Sequence, residues 1–271
     1  MRGFLLAVAA LTAVAQTSST DAKVRHAVAG FQNSFWCYAT NIDTGASYGF
    51  RPNDRISTAS TIKLPIMVEV FAEVEAGRAR WDETLTLRDA EKLGGSGVLR
   101  EMSDGLRLPL RDLMRLMIVV SDNTATNLLL TRFPASSVNQ EMERLGLGQT
   151  RALQKPVGNG VSTSREMAML MEKIVRGHVV SPAASAEMIE ILKRQQYKVG
   201  IGRRLSYDEV ASKHGAMDRM RSDVGVVLTK KGRVVLSVTI DSLPEKDYSP
   251  ENRGERLISD VTGILLEALA Q

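Results

Sequence analysis

The chain of 271 residues has few side chains that suit a metal ion, with one cysteine and three histidines in total. The single cysteine, Cys37, excludes a disulfide within the chain, and the histidines lie far apart in sequence. Cys37 alternates with apolar residues in the segment SFWCYATNI, so we expect it to pack as a small hydrophobic side chain. The sequence therefore predicts neither a metal site nor a cofactor.

Aromatic residues make up only 5% of the chain, and no cluster of basic residues accompanies its formal net charge of +4. Proteins that bind nucleic acids usually concentrate basic residues in a patch, so we predict no nucleic-acid partner. Hydrophobic residues make up 44% and charged residues 24%, which is typical of a globular protein. This length and composition suit one large domain or two closely packed lobes, and we expect a monomer.

A long apolar run lies at the N terminus, where Arg2 is followed by thirteen uncharged residues, 3–15. The run ends in the sequence AVA, which resembles a small-x-small cleavage site, and it is too short to span a bilayer. We therefore predict a signal peptide at residues 1–15 and a mature chain that begins near Gln16. The protein would be exported, periplasmic or secreted, without a membrane anchor after cleavage. A buried N-terminal helix is the alternative.

Strand patterns occur near both ends of the chain. Residues 35–50 contain two strand-like segments around a DTG turn, and residues 223–240 contain two more around a KKG turn. Between them, apolar residues recur three and four positions apart, which predicts a block of helices. We expect further helices over residues 21–31 and from Ser249-Pro250 to the C terminus.

Strands from both ends can join one sheet only if the helical block is an excursion from it. The sequence therefore predicts an α/β plus all-α protein, in which an antiparallel sheet is flanked by helices and a helical lobe is inserted. The predicted boundaries are residues 16–271 for the whole domain, about 16–57 and 205–271 for the α/β lobe, and about 58–204 for the all-α lobe.

The segment STIKLPIM places Lys63 in an apolar stretch, three residues after Ser60. In a helix that begins near Ser60, both side chains share one face, and the free N–H groups of the first turn suit an oxyanion. Burial and a second cation would lower the pKa of Lys63 enough for the amine to accept a proton. Alternatively, Lys63 extends to the surface and Ser60 only caps the helix. Ser47, in GASYG, lies in a hairpin without the helix of a nucleophile elbow, so we take it as a chance match.

Two further motifs are candidates for the same site. The SDN motif at residues 121–123 lies between apolar segments, where polar side chains need partners. The KHG motif at residues 213–215 lies near the start of the C-terminal strands. Taken alone, Ser121 or Asp122 could be a helix cap, and Lys213 could be an exposed residue of an edge strand.

The motifs S-x-x-K, S-D-N and K-x-G, in this order, closely resemble the active-site set of class A β-lactamases and penicillin-binding proteins. The likeness includes the order of elements and the segments STASTIKLPIM and MIVVSDNTATNLLL, and it spans essentially the whole mature chain. It implies a β-lactamase/transpeptidase-like fold and a serine hydrolase that acts on cyclic amides. The ligand would be a small-molecule β-lactam or a peptidoglycan-like peptide.

The resemblance also implies a role for each motif residue. Ser60 resembles the acylated nucleophile, Lys63 its proton acceptor, and Ser121 the relay that returns a proton to the leaving nitrogen. The backbone N–H groups of Ser60 and Ala216 would form the oxyanion hole. The residues implied to bind substrate are Asn123, Lys213, His214, Gly215 and Ala216.

Two departures from the family pattern affect the expected activity. His214 replaces the hydroxyl residue of the family's K-[ST]-G motif; its ring could still donate a hydrogen bond to a carboxylate, unless it points away from the cleft. Class A enzymes also carry a loop glutamate that activates the deacylating water, but residues 146–164 contain no Asp or Glu. We expect Glu166, beyond this loop, only to support the next helix start.

Slow deacylation is therefore expected, and it leaves two kinds of protein open. One is a hydrolase, which would be a slow β-lactamase or a related D-Ala-D-Ala-type peptidase or esterase. The other is a penicillin-binding protein or sensor that is acylated and stops. A catalytically dead relative is disfavoured because the motif residues are all present.

Overall fold

A computed structural model describes residues 18–153 and 160–271. The predicted signal peptide and its cleavage point lie outside the described residues. The described α-helices are residues 18–27 (α1), Lys63–Glu75 (α2), Leu110–Val119 (α3), Asn123–Arg132 (α4), Ala135–Arg144 (α5), Ser164–Val175 (α6), Pro182–Lys193 (α7) and Arg253–Leu269 (α8). The described strands are Phe35–Asn41 (β1), Ser47–Phe50 (β2), Ile56–Ser57 (β3), Thr84–Thr86 (β4), Arg107–Pro109 (β5), Arg151–Ala152 (β6), Gly160–Ser162 (β7), Val210–Met217 (β8), Met220–Thr229 (β9) and Gly232–Ile240 (β10).

The main sheet combines strands from both ends of the chain in the order β2-β1-β10-β9-β8. Each neighbouring pair is antiparallel, and β1 joins the C-terminal strands through β10, with Phe35 opposite Ile240. The helical block between β2 and β8 is an excursion from this sheet. The predicted fold class, an antiparallel sheet flanked by helices with an inserted helical lobe, is confirmed.

Alternating residues of the strands pack into two hydrophobic cores, one on each face of the sheet. Val226 and Val235 belong to the core shared with α2 to α7, whereas Val227 and Leu236 belong to the core shared with α8. Adjacent strand residues point to opposite faces, so the sheet separates the two cores. Cys37 is buried in the α8 core as a free thiol, and burial raises its pKa to about 12.

Some local predictions were wrong. The first helix ends at residue 27, short of the predicted end at residue 31. The last helix is capped by Asn252, whose side chain accepts a hydrogen bond from Gly254 N, instead of by Ser249. Ser249 instead donates hydrogen bonds from its hydroxyl and its N–H to the Asp247 carboxylate.

The helical block also contains short strands that the sequence did not predict. Strands β4 and β5 pair with each other, and β7 pairs with both β3 and β6. Each has only two or three residues, which is too short for a recognisable alternation of side chains. The small sheet β3-β7-β6 matters for the site, because pairing of β3 with β7 holds the segment before Ser60 against the segment before α6. In the described parts of the chain, no helix is long and apolar enough to cross a membrane.

Candidate active site

Ser60 lies in a 3-10 helix, Ala59–Ile62, that leads directly into α2. This turn starts with Ala59 at φ 46°, a left-handed conformation that only the surrounding structure can hold in a residue other than glycine. The helix that follows is fixed in place, since its residues from Lys63 to Phe71 are all buried. Ser60 is half-buried, and among the described residues its hydroxyl has no hydrogen-bond partner.

Lys63 is fully buried, and its amine points at the S-D-N segment. Nζ donates to the Ser121 carbonyl oxygen at 2.7 Å, to Ser121 Oγ at 3.1 Å and to Asn123 Oδ1 at 2.8 Å. Burial and the nearby charge of Lys213 lower the pKa of Lys63 well below the ordinary lysine value. Because these acceptors engage all three donors of an ammonium group, Lys63 must lose a proton before it could accept one from Ser60.

Ser121 lies between two amines, because Lys213 Nζ also donates to its Oγ at 3.1 Å. The Ser121 backbone has φ 53°, a second left-handed conformation in the site. Asp122 fixes this turn: its Oδ1 accepts from Ala125 N at 2.8 Å and caps α4. Its Oδ2 accepts the N–H groups of residues 98–99 at 2.7 and 2.8 Å. Asp122 is therefore the cap of α4. The Ser121 hydroxyl takes no part in capping and accepts hydrogen bonds from the two lysines.

Lys213 reaches the site from β8, the edge strand of the sheet, and is fully buried. Besides Ser121 Oγ, its Nζ donates to the His214 carbonyl oxygen at 2.7 Å and to Gln195 Oε1 at 3.4 Å. Burial lowers the pKa of Lys213 to about 7, although the Asp223 carboxylate opposes this change. Near neutral pH the site therefore contains Lys213 both with and without its proton.

Strand β8 lies against the Ser60 turn at Gly215. A Cβ atom at Gly215 would lie 2.9 Å from Ser60 N, so this approach requires glycine. His214 N donates to the Gln195 side chain at the free edge of the strand. Because N–H groups two residues apart leave a strand on the same side, Ala216 directs its N–H to the same edge as His214.

A known protein family matches nearly the whole chain. Residues 19–269 match the family model described as the β-lactamase enzyme family. The chain belongs to this family. This is the family that the three motifs predicted.

Individual relatives are similar over most of the chain. A β-lactamase of Stenotrophomonas maltophilia is 28% identical over 198 residues, which cover 69% of this chain and 64% of that relative, slightly less than two thirds of its length. The structure of a β-lactamase from Sphaerobacter thermophilus is 30% identical and has a TM-score of 0.84, with 93% of this chain and 97% of that chain covered. A leucine-to-glutamate variant of PBP-A, in an acyl-enzyme complex with penicillin G, is 28% identical with a TM-score of 0.84 and covers 93% and 96% of the two chains.

His214 is the middle residue of the K-x-G motif. Its side chain lies on the face of β8 opposite to that of Lys213. His214 pairs in register with Asp223, and its Nε2 lies 2.8 Å from Glu255 Oε1 in α8. Arg221 Nε lies 3.0 Å from the same Glu255 oxygen. The predicted contact of the His214 ring with substrate stays a prediction, and it would have to come from this far side of the strand.

Several buried polar residues of the site carried no signal in the sequence. Gln195, Arg221, Asp223 and Glu255 are all buried, and burial raises the pKa of Asp223 to about 6. Asp223 and Arg221 lie in β9, where the surrounding apolar residues indicate a strand but no functional site. Gln195 follows the end of α7 and belongs to no recognisable motif. Only the contacts across the fold connect these residues to Lys213 and His214.

The loop after the S-D-N helix was predicted to lack a carboxylate, and its residues 154–159 lie outside the described part of the chain. Glu166, in the first turn of α6, accepts hydrogen bonds from Gln149 N at 3.0 Å and Thr150 Oγ1 at 2.7 Å. Its carboxylate therefore fastens the start of the loop to α6. The cap of α6 is Thr163, whose side chain accepts a hydrogen bond from Glu166 N. In residues 18–153 and 160–271, no group of three or more His, Cys, Asp or Glu side chains could hold a metal ion.

Proposed function

We propose that Ser60 attacks the carbonyl carbon of a β-lactam ring and forms an acyl-enzyme that is hydrolysed slowly. Neutral Lys63 takes the Ser60 proton, and Ser121 passes a proton to the ring nitrogen as the C–N bond breaks. The observation that carries this proposal is the position of Ser121 Oγ, 3.1 Å from both Lys63 Nζ and Lys213 Nζ. Because both amines donate hydrogen bonds to this oxygen, its own proton is free to pass to the ring nitrogen and can be replaced from a protonated amine.

Substrate binding is assigned to the K-x-G strand and the S-D-N turn. Protonated Lys213 attracts the substrate carboxylate, and His214 is a further contact. Asn123 binds the side-chain amide of the substrate. The N–H groups of Ser60 and Ala216 form the oxyanion hole, and the close approach of β8 to the Ser60 turn supports this pairing.

Slow deacylation follows from the missing loop carboxylate. Residues 146–164 contain no Asp or Glu, and the Glu166 oxygens already accept hydrogen bonds from Gln149 and Thr150. A general base in position contributes about 10²–10⁴-fold to such a step. The similarity to PBP-A, whose glutamate variant is an acyl-enzyme complex with penicillin G, supports an acylation chemistry shared with penicillin-binding proteins.

The same observation favours a second candidate, a penicillin-binding protein or sensor that is acylated and does not turn over. A chromogenic cephalosporin separates the two. We expect a burst of one product per protein, followed by a slow steady state, with mass spectrometry showing one acyl group on Ser60. A burst with no steady state would identify the sensor, and rapid turnover without a burst would show that another group activates the water.

The predicted cellular location and assembly belong to the same proposal. The protein acts outside the cytoplasm as a monomer, after removal of residues 1–15. N-terminal sequencing of exported material should give a start near Gln16. Exported protein that still begins at Met1 would contradict the signal peptide.

A further inference from the structure

Gln195 is a fully buried residue that connects three consecutive positions of β8. Its Oε1 accepts from His214 N at 2.6 Å and from Lys213 Nζ at 3.4 Å, and its Nε2 donates to Ser212 Oγ at 3.0 Å. The amide therefore uses both its acceptor and its donor on the edge strand that carries the K-x-G motif.

The backbone around Gln195 is anchored to the other side of the site. Gln195 N donates to Leu192 O at 3.2 Å, and Gln196 N donates to Val119 O at 3.0 Å. Val119 is the last residue of α3, two positions before Ser121. Gln195 thus connects the segment that carries the Ser121 hydroxyl to the strand that carries Lys213.

The hydrogen-bond acceptors around the Lys213 amine are all uncharged. They are Ser121 Oγ, the His214 carbonyl oxygen and Gln195 Oε1. The charged groups that interact with the Lys213 amine are Lys63 from α2 and Asp223 from β9. Lys63 interacts in turn with Asp122 at the start of α4, and Asp223 with His214 in β8 and Glu255 in α8.

We propose that Gln195 is a positioning residue for acylation, whose neutral amide holds the Lys213 amine and the His214 N–H without adding charge to the site. This inference rests on the proposed function, in which protonated Lys213 receives the substrate carboxylate. A carboxylate in place of the amide would keep Lys213 protonated to higher pH, since a counter-charge at this distance moves a pKa by about one to three pH units.

The test is the pH dependence of acylation by a fluorescent penicillin, measured from pH 5 to 10. The rate for the wild-type protein should fall on the alkaline side as Lys213 loses its proton, near pH 7. Gln195→Glu should move this alkaline limb upward by at least one pH unit. The matched control is Gln196→Glu, which places the same charge on the adjacent, exposed residue and should leave the limb unchanged.

Gln195→Met should have the opposite effect on the alkaline limb, because it removes a hydrogen-bond acceptor that favours the charged Lys213 amine. Its alkaline limb should move to lower pH, whereas a purely structural role would lower the rate equally at every pH. If either folded variant keeps its alkaline limb at the wild-type pH, the inference is overturned. Absence of Ser60-dependent labelling in the wild-type protein would instead overturn the proposed function.

Discussion

Lys63 and Lys213 meet at one hydroxyl, each with its Nζ 3.1 Å from Ser121 Oγ, although 58 and 92 residues separate them from Ser121 in the sequence. Two ammonium groups so close in a buried site repel each other, and the charge of Lys213 lowers the pKa of Lys63. The two lysines therefore titrate as a pair. Because of this repulsion, Lys63 can be neutral and act as a base while Lys213 stays charged and attracts an anion.

Replacement of Ser60 tests the nucleophile. Ser60→Ala should abolish the covalent adduct with a β-lactam, because the attacking oxygen is removed. The control is Ser47→Ala, at an exposed position of β2, which should label like the wild-type protein. Mass spectrometry after incubation with penicillin measures both. An adduct on the Ser60→Ala protein would refute the assignment of the nucleophile.

Replacement of Lys63 tests the base. Lys63→Met keeps an unbranched, buried side chain but removes the amine, so acylation should slow by about 10²–10⁴-fold or more. Lys23→Met is the control, because Lys23 is exposed and forms an ion pair with Glu267 in α8, away from the S-D-N segment. Stopped-flow measurement of acylation should separate the two variants. If Lys63→Met is acylated within tenfold of the wild-type rate, another group takes the Ser60 proton.

Lys213 should make the stability of the protein depend on pH. Its pKa is about 7 in the folded protein and 10.5 when exposed, so between these values the unfolded chain binds the extra proton. The free energy of unfolding should therefore rise from pH 7 towards pH 10 and fall as the pH returns to 7.

The measurement is urea unfolding of the wild-type protein and of Lys213→Met at several pH values in this range. The variant should show a smaller rise, because the Lys213 contribution is gone while the lowered pKa values of Lys63 and Lys198 still act in the same direction. Equal slopes in the two proteins would mean that Lys213 keeps an ordinary pKa in the folded state.

Deacylation should accelerate when the loop receives a carboxylate. Val157→Glu and Asn159→Glu, both in the segment outside the described residues, are the two positions to try. A correctly placed base should raise the steady-state rate by about 10²–10⁴-fold and leave the burst amplitude unchanged. Val157→Gln and Asn159→Gln are the matched controls without charge. Glutamate variants that match their glutamine controls would show that deacylation is limited by something other than a base.

Much of the fold could be predicted from local patterns. Apolar residues spaced three and four apart located α3 to α6, and the DTG and KKG turns located the hairpins β1–β2 and β9–β10. These patterns suffice because a helix or hairpin exposes its periodicity within a few residues. The start of α8 was misplaced, since Ser249 and Pro250 have suitable chemistry but Asp247 competes for the Ser249 side chain.

The sequence by itself determined the three motifs, their order and the absence of an acidic residue between residues 146 and 164. The tertiary structure alone decided that Lys63 and Lys213 share Ser121, that His214 turns to Glu255 and that Gln195 holds β8. Motifs depend on residue types at short spacing, whereas burial and proton affinity depend on groups that only the folded chain brings together. The pKa of a buried lysine is a property of that assembled surrounding, so no local pattern could supply it.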